Sequence, residues 1–93
     1  MREYELTLIL NPEVGEENLP GVVDKVKGWI AAGGGDVLTV TPAGRKRLAF
    51  PIGKSRDGNF FYLGTRMKSE SLAEVERSIR LSEDILRHMV IRR

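Results

Sequence analysis

The chain has 93 residues, a length that leaves little room for a deep catalytic cleft. It has no cysteine, which excludes a disulfide framework. With no cysteine and one histidine, it has too few ligands for a transition-metal cluster. The net charge of +2 is unevenly distributed, because residues 1–44 hold seven acidic and three basic side chains whereas residues 45–93 hold six acidic and twelve basic ones. This asymmetry indicates either an anionic partner for the second half or a solvated surface of mixed charge.

The first predicted element is a strand over residues 4–10, where alternating polar and apolar residues give way to a continuous apolar run. Asn11-Pro12 ends this strand. A helix is predicted next, with Pro20 in its first turn, where proline is tolerated, and glycines 33–35 at its end. Its apolar residues recur every three or four positions and form one stripe: Leu19, Val22, Val23, Val26, Trp29 and Ile30.

A long strand is predicted over residues 36–52, which are rich in β-branched side chains. Pro42 and Gly44 interrupt it, so we expect an edge strand with a kink or bulge at that point. Residues 54–59 have Asp-Gly at their centre, which predicts a turn. Residues 60–67 would then form the returning strand of a hairpin.

Ser71, with Glu74 three residues later, forms a capping-box pattern at the start of a second predicted helix. A final strand is predicted over residues 86–91. The order strand, helix, strand, strand, helix, strand folds most simply as a ferredoxin-like split βαβ sandwich, an α+β fold. Two helices would cover one face of a four-stranded antiparallel sheet, and the other face would stay open.

The predicted core lies between that sheet and the helices, in one domain that spans residues 1–93. It comprises Leu6, Leu8, Leu10, Val26, Ile30, Phe61, Leu63, Val75 and Ile79. No basic segment precedes an apolar run in the manner of a signal peptide, and no apolar run approaches the roughly 20 residues that span a bilayer. We therefore expect a cytoplasmic protein without membrane contact.

Patterns that support catalysis are missing from the sequence. His88 lies in an apolar strand with no assigned carboxylate, so it supports no serine triad and is read as an ordinary strand residue. Glycines 33–35 follow a helix instead of opening one, which is the context of a helix end and not of a phosphate loop. An acylphosphatase-type enzyme on this fold would need an anion-binding loop after the first strand, but residues 11–17 are acidic. We expect no catalytic residue, metal, cofactor or small-molecule substrate.

The densest basic run is Arg45-Lys46-Arg47, in the strand predicted to lie at the edge of the sheet. Charged side chains on an edge strand protect it against unwanted pairing. The same run could equally bind phosphates or the acidic groups of a partner. Lys54 and Arg56 lie in the turn that follows.

A second basic group is predicted at the ends of the first and last strands, which are neighbours in this fold. It contains Arg2, Arg87, Arg92 and Arg93. We expect these four side chains to form one cluster across one end of the sheet.

The aromatic run 60–62 lies in a strand, so its side chains must alternate between the two faces. If Phe61 joins the core, Phe60 and Tyr62 lie on the open face, as in RNA-recognition modules that stack bases there. The surrounding residues match that motif poorly. A stand-alone single-strand RNA-binding module that stacks bases on these two rings is nevertheless retained as the alternative function.

Three stretches resemble the bacterial small-subunit ribosomal protein six family. The most specific family pattern is a glycine, a basic pair and then Leu-Ala-Tyr-Pro-Ile-x-Lys, and residues 44–54 read GRKRLAFPIGK, with Phe50 in place of the tyrosine. The opening Met1-Arg2-x-Tyr4-Glu5, with a strand that ends in Asn-Pro, and the closing residues 81–92 are also similar. The resemblance covers the whole chain in register.

The resemblance implies a structural component of the small ribosomal subunit that binds the central domain of small-subunit rRNA together with small-subunit ribosomal protein eighteen. It implies that the strand around residues 45–47 faces the protein partner and that arginines and lysines elsewhere contact RNA. The RNA-binding residues that the resemblance implies are Arg2, Lys54, Arg87 and Arg92. We add the nearby basic residues Arg56 and Arg93 to this expected RNA-binding set. The expected partner-binding residues are Arg45, Lys46, Arg47, Phe60 and Tyr62.

Overall fold

A computed structural model describes residues 1–93 and contains four strands and two α-helices in the predicted order. They are β1 (Arg2–Leu10), α1 (Leu19–Ala32), β2 (Asp36–Ile52), β3 (Ser55–Met67), α2 (Ser69–Leu81) and β4 (Ile85–Arg92), with a short 3-10 turn at Glu16–Asn18 before α1. The strands form one antiparallel sheet in the order β2-β3-β1-β4. The predicted ferredoxin-like α+β fold is confirmed.

The core lies between the helices and the face of the sheet that the even-numbered residues of β1 form. Leu8 and Leu10 are completely buried, and Val26 of α1 meets them from the helix layer. All nine predicted core residues belong to this cluster or pack against it, with Phe61 half-buried at its margin. Tyr4, Met67 and Ile85 extend the core beyond the prediction.

The predicted glycine stop of α1 is confirmed as a hydrogen-bonded cap. The Gly34 N–H donates to the Ala31 carbonyl, and the Gly35 N–H donates to the Ile30 carbonyl. Gly34 has a φ of +80°, which L residues rarely adopt. These features form a Schellman motif, which satisfies the last carbonyls of α1 without any ligand.

The predicted turn over residues 54–59 is wrong in extent. The connection is only Gly53-Lys54, because Ile52 and Ser55 already pair across the hairpin, and Asp57 and Gly58 lie inside β3. The Asp-Gly pair serves close packing instead. A Cβ atom on Gly58 would lie 2.5 Å from Ile9 Cγ2, so this position holds glycine for lack of space and not for a turn.

The predicted capping box at Ser71 is also wrong. Helix α2 begins three residues earlier than this pattern requires, with Lys68 as its N-cap, and no side chain caps it. The Ser71 hydroxyl donates instead to the Gly33 carbonyl over 3.0 Å. This hydrogen bond ties the first turn of α2 to the end of α1.

The β2 strand lies at the edge of the sheet, as its proline and glycine predicted. Its pairing with β3 shifts register between Pro42 and Gly44, and Gly44 has a φ of +82°. Both features are those of a bulge, which an edge strand accommodates without breaking a central ladder. β4 forms the opposite edge.

Candidate RNA and partner interface

The β2–β3 hairpin extends beyond the rest of the sheet. The last pair between β1 and β3 is Leu10 with Asn59, whereas β2 and β3 continue to pair as far as Ile52 and Ser55. We call residues 46–58 the arm. It carries four basic side chains and one acidic side chain: Lys46, Arg47, Lys54, Arg56 and Asp57.

Arg45 binds the only acidic side chain of the arm. Its Nε and Nη2 donate to the two carboxylate oxygens of Asp57 over 2.9 and 3.2 Å, in a bidentate pair. These hydrogen bonds lower the pKa of the Asp57 carboxyl and raise that of the Arg45 guanidinium. Because the pKa of Asp57 is lowered on folding, the pair stabilises the arm near neutral pH, and this contribution is lost as the pH falls through the lowered value.

Removal of the guanidinium should therefore move the titration of Asp57. In Arg45→Gln we expect the Asp57 pKa, measured by carboxyl-carbon NMR, to rise towards its ordinary value of 3.8. Lys54→Gln removes a charge from the tip of the same arm without breaking the pair, so it should leave the Asp57 pKa nearly unchanged. The same Asp57 pKa in the parent and in Arg45→Gln would show that the pair does not form.

Lys46 covers the two aromatic rings that the sequence placed on the open face. Its Nζ lies 5.6 Å from the Phe60 ring centroid and 5.7 Å from that of Tyr62, within the range of cation–π attraction. Phe61 and Leu63 point to the helices, so the alternation of β3 is as expected. Both rings are half-buried and already in contact with Lys46, so they are less available for stacking on RNA bases.

The predicted single cluster of Arg2, Arg87, Arg92 and Arg93 does not form. Arg92 lies opposite Tyr4 near the start of β1, whereas Arg87 lies opposite Ile9 near its end. The five residue steps from Arg87 to Arg92 span about 17 Å at the rise of a strand. The prediction failed because β4 is a full strand, so its two ends lie at opposite ends of the sheet, and Arg87 is beside the arm.

The other end of the sheet holds a basic group that we call the end cluster: Arg2, Lys68 and Arg92. Arg2 pairs in register with Met67, which places Lys68 beside it, and none of the three forms an ion pair. Lys68 could not be assigned to this group from the sequence, because only the register between β1 and β3 brings it beside Arg2. Arg93 forms an ion pair with Glu5, in which Nη2 donates to Oε2 over 3.0 Å.

Comparison with known proteins assigns the chain to a family. Residues 3–92 match the family model described as Ribosomal protein S6. The chain belongs to the ribosomal protein S6 family. Small ribosomal subunit protein bS6 of Carboxydothermus hydrogenoformans is 36% identical over 92 residues, which are 99% of this chain and 96% of the relative. The bS6 protein of Heliobacterium modesticaldum is 34% identical over 93 residues, or 100% and 97% of the two chains.

A solved structure of an S6 protein has the same fold as this chain. The crystal structure of 30S ribosomal protein S6 from Thermotoga maritima matches with a TM-score of 0.91 and 30% identity, over 99% of this chain and 87% of that one. Membership makes this chain a structural protein of the small ribosomal subunit and places it on the cytoplasmic ribosome. The expectation drawn from residues 44–54 is thereby confirmed at the level of the family.

The remaining polar features of this S6-family chain fit a structural role. His88 Nε2 lies 2.6 Å from Glu76 Oε2, which supplies the carboxylate that the sequence did not assign and joins β4 to α2. The largest recess, about 620 Å³, is lined by Glu13, Glu83 and Asp84 among others and would repel an anionic ligand. No group of histidine and carboxylate side chains converges on a metal site, and neither α-helix has the length and hydropathy to cross a membrane.

Proposed function

We propose that this protein binds the central domain of small-subunit rRNA together with small-subunit ribosomal protein eighteen. The observation that carries the proposal is the separation of the basic side chains into two groups at opposite ends of one open sheet: Lys54 and Arg56 at the tip of the arm with Arg87, and the end cluster. A polyanion can contact both ends while a protein occupies the face between them.

The partner surface that we propose is the open face and the neighbouring edge of β2. Met89 and Ile91 of β4 are exposed there, at 42% and 60%. Phe60 and Tyr62 lie on the same face under Lys46. An apolar centre with cations at its margin fits a protein interface, where aromatic side chains and a polar rim are typical. Arg45 and Arg47 lie along the β2 edge of this surface.

The RNA surface that we propose consists of the basic side chains at the two ends of the sheet: Arg2, Lys54, Arg56, Arg87, Arg92 and Arg93. All six are exposed. Arg93 would share its guanidinium between Glu5 and a phosphate, so we expect it to contribute less than Arg2 or Arg92. Arginine side chains suit this task because their planar forks match phosphate oxygens.

Arg92→Gln tests this assignment, with partner protein and central-domain RNA present. Loss of one phosphate contact should weaken binding by a similar factor for different RNA sequences and lower the salt slope by about one unit. Arg77→Gln removes the same charge from α2, where the arginine pairs with Glu74, and should change neither quantity. If the two variants behave alike, the effect is one of net charge and the end cluster does not contact RNA.

A stand-alone base-stacking module remains the alternative function, and the Lys46 contact with both rings argues against it. In a stacking module, replacing Phe60 and Tyr62 by alanine should cost about 1 to 3 kcal/mol of RNA binding for each base. Under the function that we propose, the same alanine variant should lose more affinity for the protein partner than for RNA.

A further inference from the structure

A recess of about 430 Å³ lies between the arm and the open face. The sheet contributes Ile9, Phe60 and Met89 to its lining, and the arm contributes residues 47–52. We call it the arm pocket. Gly58 lets the arm approach this closely, because any side chain there would collide with Ile9. Pockets of this size accommodate small organic ligands.

The lining of the arm pocket is apolar except for two arginines. Arg47 and Arg87 are exposed at the pocket, and neither forms an ion pair. Phe50 also lines it and is 81% exposed, more than any other large apolar side chain of the protein. An occupant that fits must therefore combine a flat or apolar body with negative charge beside it.

We propose that the arm pocket receives one unstacked base of single-stranded RNA, with the base against Phe50 and the adjacent phosphates on Arg47 and Arg87. The inference rests on the proposed rRNA binding and names one of its contacts. It moves Arg47 from the partner surface to the RNA surface. Arginine forks bind phosphate oxygens, and aromatic rings stack on any base.

The charge around the arm pocket favours RNA over an acidic peptide. Lys54 and Arg56 continue the basic surface along the arm, and its only carboxylate, Asp57, is held by Arg45. A chain of regularly spaced phosphates can use all of these cations, whereas a peptide with one or two acidic residues cannot. Phe60 and Tyr62 are covered by Lys46, so Phe50 is the uncovered ring at this end of the sheet.

The arm pocket should bind bases with little preference among them. No serine, threonine, asparagine or glutamine side chain lines it, and stacking by itself discriminates weakly between bases. The probes are therefore hexa-adenylate and a hexamer of abasic ribose phosphates, which has the same charge and no bases. Titration of the full chain is followed by NMR of the Phe50 ring and of the Ile9 and Met89 methyl groups.

Hexa-adenylate should bind at least about fivefold more tightly than the abasic hexamer, with shifts at these three residues. Phe50→Ala should abolish the difference, and Phe50→Leu should do so as well, because it keeps an apolar side chain but no ring. Both variants should fold normally because the ring is largely exposed, and an unchanged thermal midpoint checks this. Arg87→Gln should weaken both ligands alike.

Equal binding of the two hexamers, no binding of hexa-adenylate, or a difference that survives in Phe50→Ala would overturn the pocket assignment. So would loss of affinity for the protein partner in Phe50→Ala while RNA affinity stays the same, since the pocket would then be a protein contact. None of these results would affect the proposed joint binding of rRNA. Failure of central-domain RNA to bind the chain together with its partner would overturn that proposal and this one with it.

Discussion

Leu8→Ala should lower the free energy of unfolding by about 2 to 5 kcal/mol, because it leaves a cavity at a fully buried site in a central strand. β1 lies between β3 and β4, and Leu8 faces Val26 and the rest of the helix layer across the core. For a domain of this size, such a loss should lower the thermal midpoint by about 10 °C or more. Denaturant unfolding followed by circular dichroism measures the free energy of unfolding, and a temperature scan measures the thermal midpoint.

Ile91→Ala is the matched control for this substitution. Ile91 is also an aliphatic side chain in the sheet, but it lies on the open face and is 60% exposed. Its replacement should change the stability by no more than about 0.5 kcal/mol. Ile30, which is 1% exposed in α1, should behave like Leu8. A loss below half a kcal/mol at both buried sites would contradict the helix-on-sheet core.

Replacement of Arg45 and Lys46 by valine should make the free protein self-associate. The outer edge of β2 presents unpaired backbone groups, and these two cations lie on it beside β-branched and apolar residues. Without them the strand becomes a long apolar edge, which invites pairing with another copy. Phe60 and Tyr62 also lose the lysine that covers them. Sedimentation velocity across a range of protein concentrations should show dimers or larger species.

The control variant replaces two basic residues by valine on a helix, which has no strand edge. Arg77 and Arg80 lie exposed on α2, and their replacement by valine adds the same apolar surface. We expect that variant to remain monomeric. The edge variant should also bind the protein partner more weakly, because the substituted residues border the proposed partner surface. An edge variant that stays monomeric and changes only the salt dependence of RNA binding would assign this part of β2 to RNA.

The sequence predicted the elements of this fold because its periodic patterns were strong and its stop signals were local. The apolar stripe of α1, the glycines after it and the bulge near Pro42 were all found where expected. The Asp-Gly pair misled the turn prediction because the signal for a turn and the signal for close backbone packing are the same glycine. Gly58 could be understood only with Ile9 beside it.

The candidate surfaces were predicted less completely than the fold, because they depend on register between strands. The basic run at residues 45–47 was visible in the sequence, but the bond from Arg45 to Asp57 was not. Arg87 was grouped with the wrong end of the sheet, and Lys68 was missed. Side chains at the two ends of a strand are close in sequence and distant in space, and no local pattern reports which residues lie opposite them.

The affinity of this chain for central-domain rRNA, with and without small-subunit ribosomal protein eighteen, tests the central proposal most directly. Alone, the chain offers only a few cations at each end of the sheet, so it should bind RNA weakly. We expect the partner to add a second RNA-binding surface in the proposed complex and to remove part of the ordering cost, so binding should tighten by about 5- to 150-fold at fixed salt. Equal affinity with and without the partner would contradict joint binding.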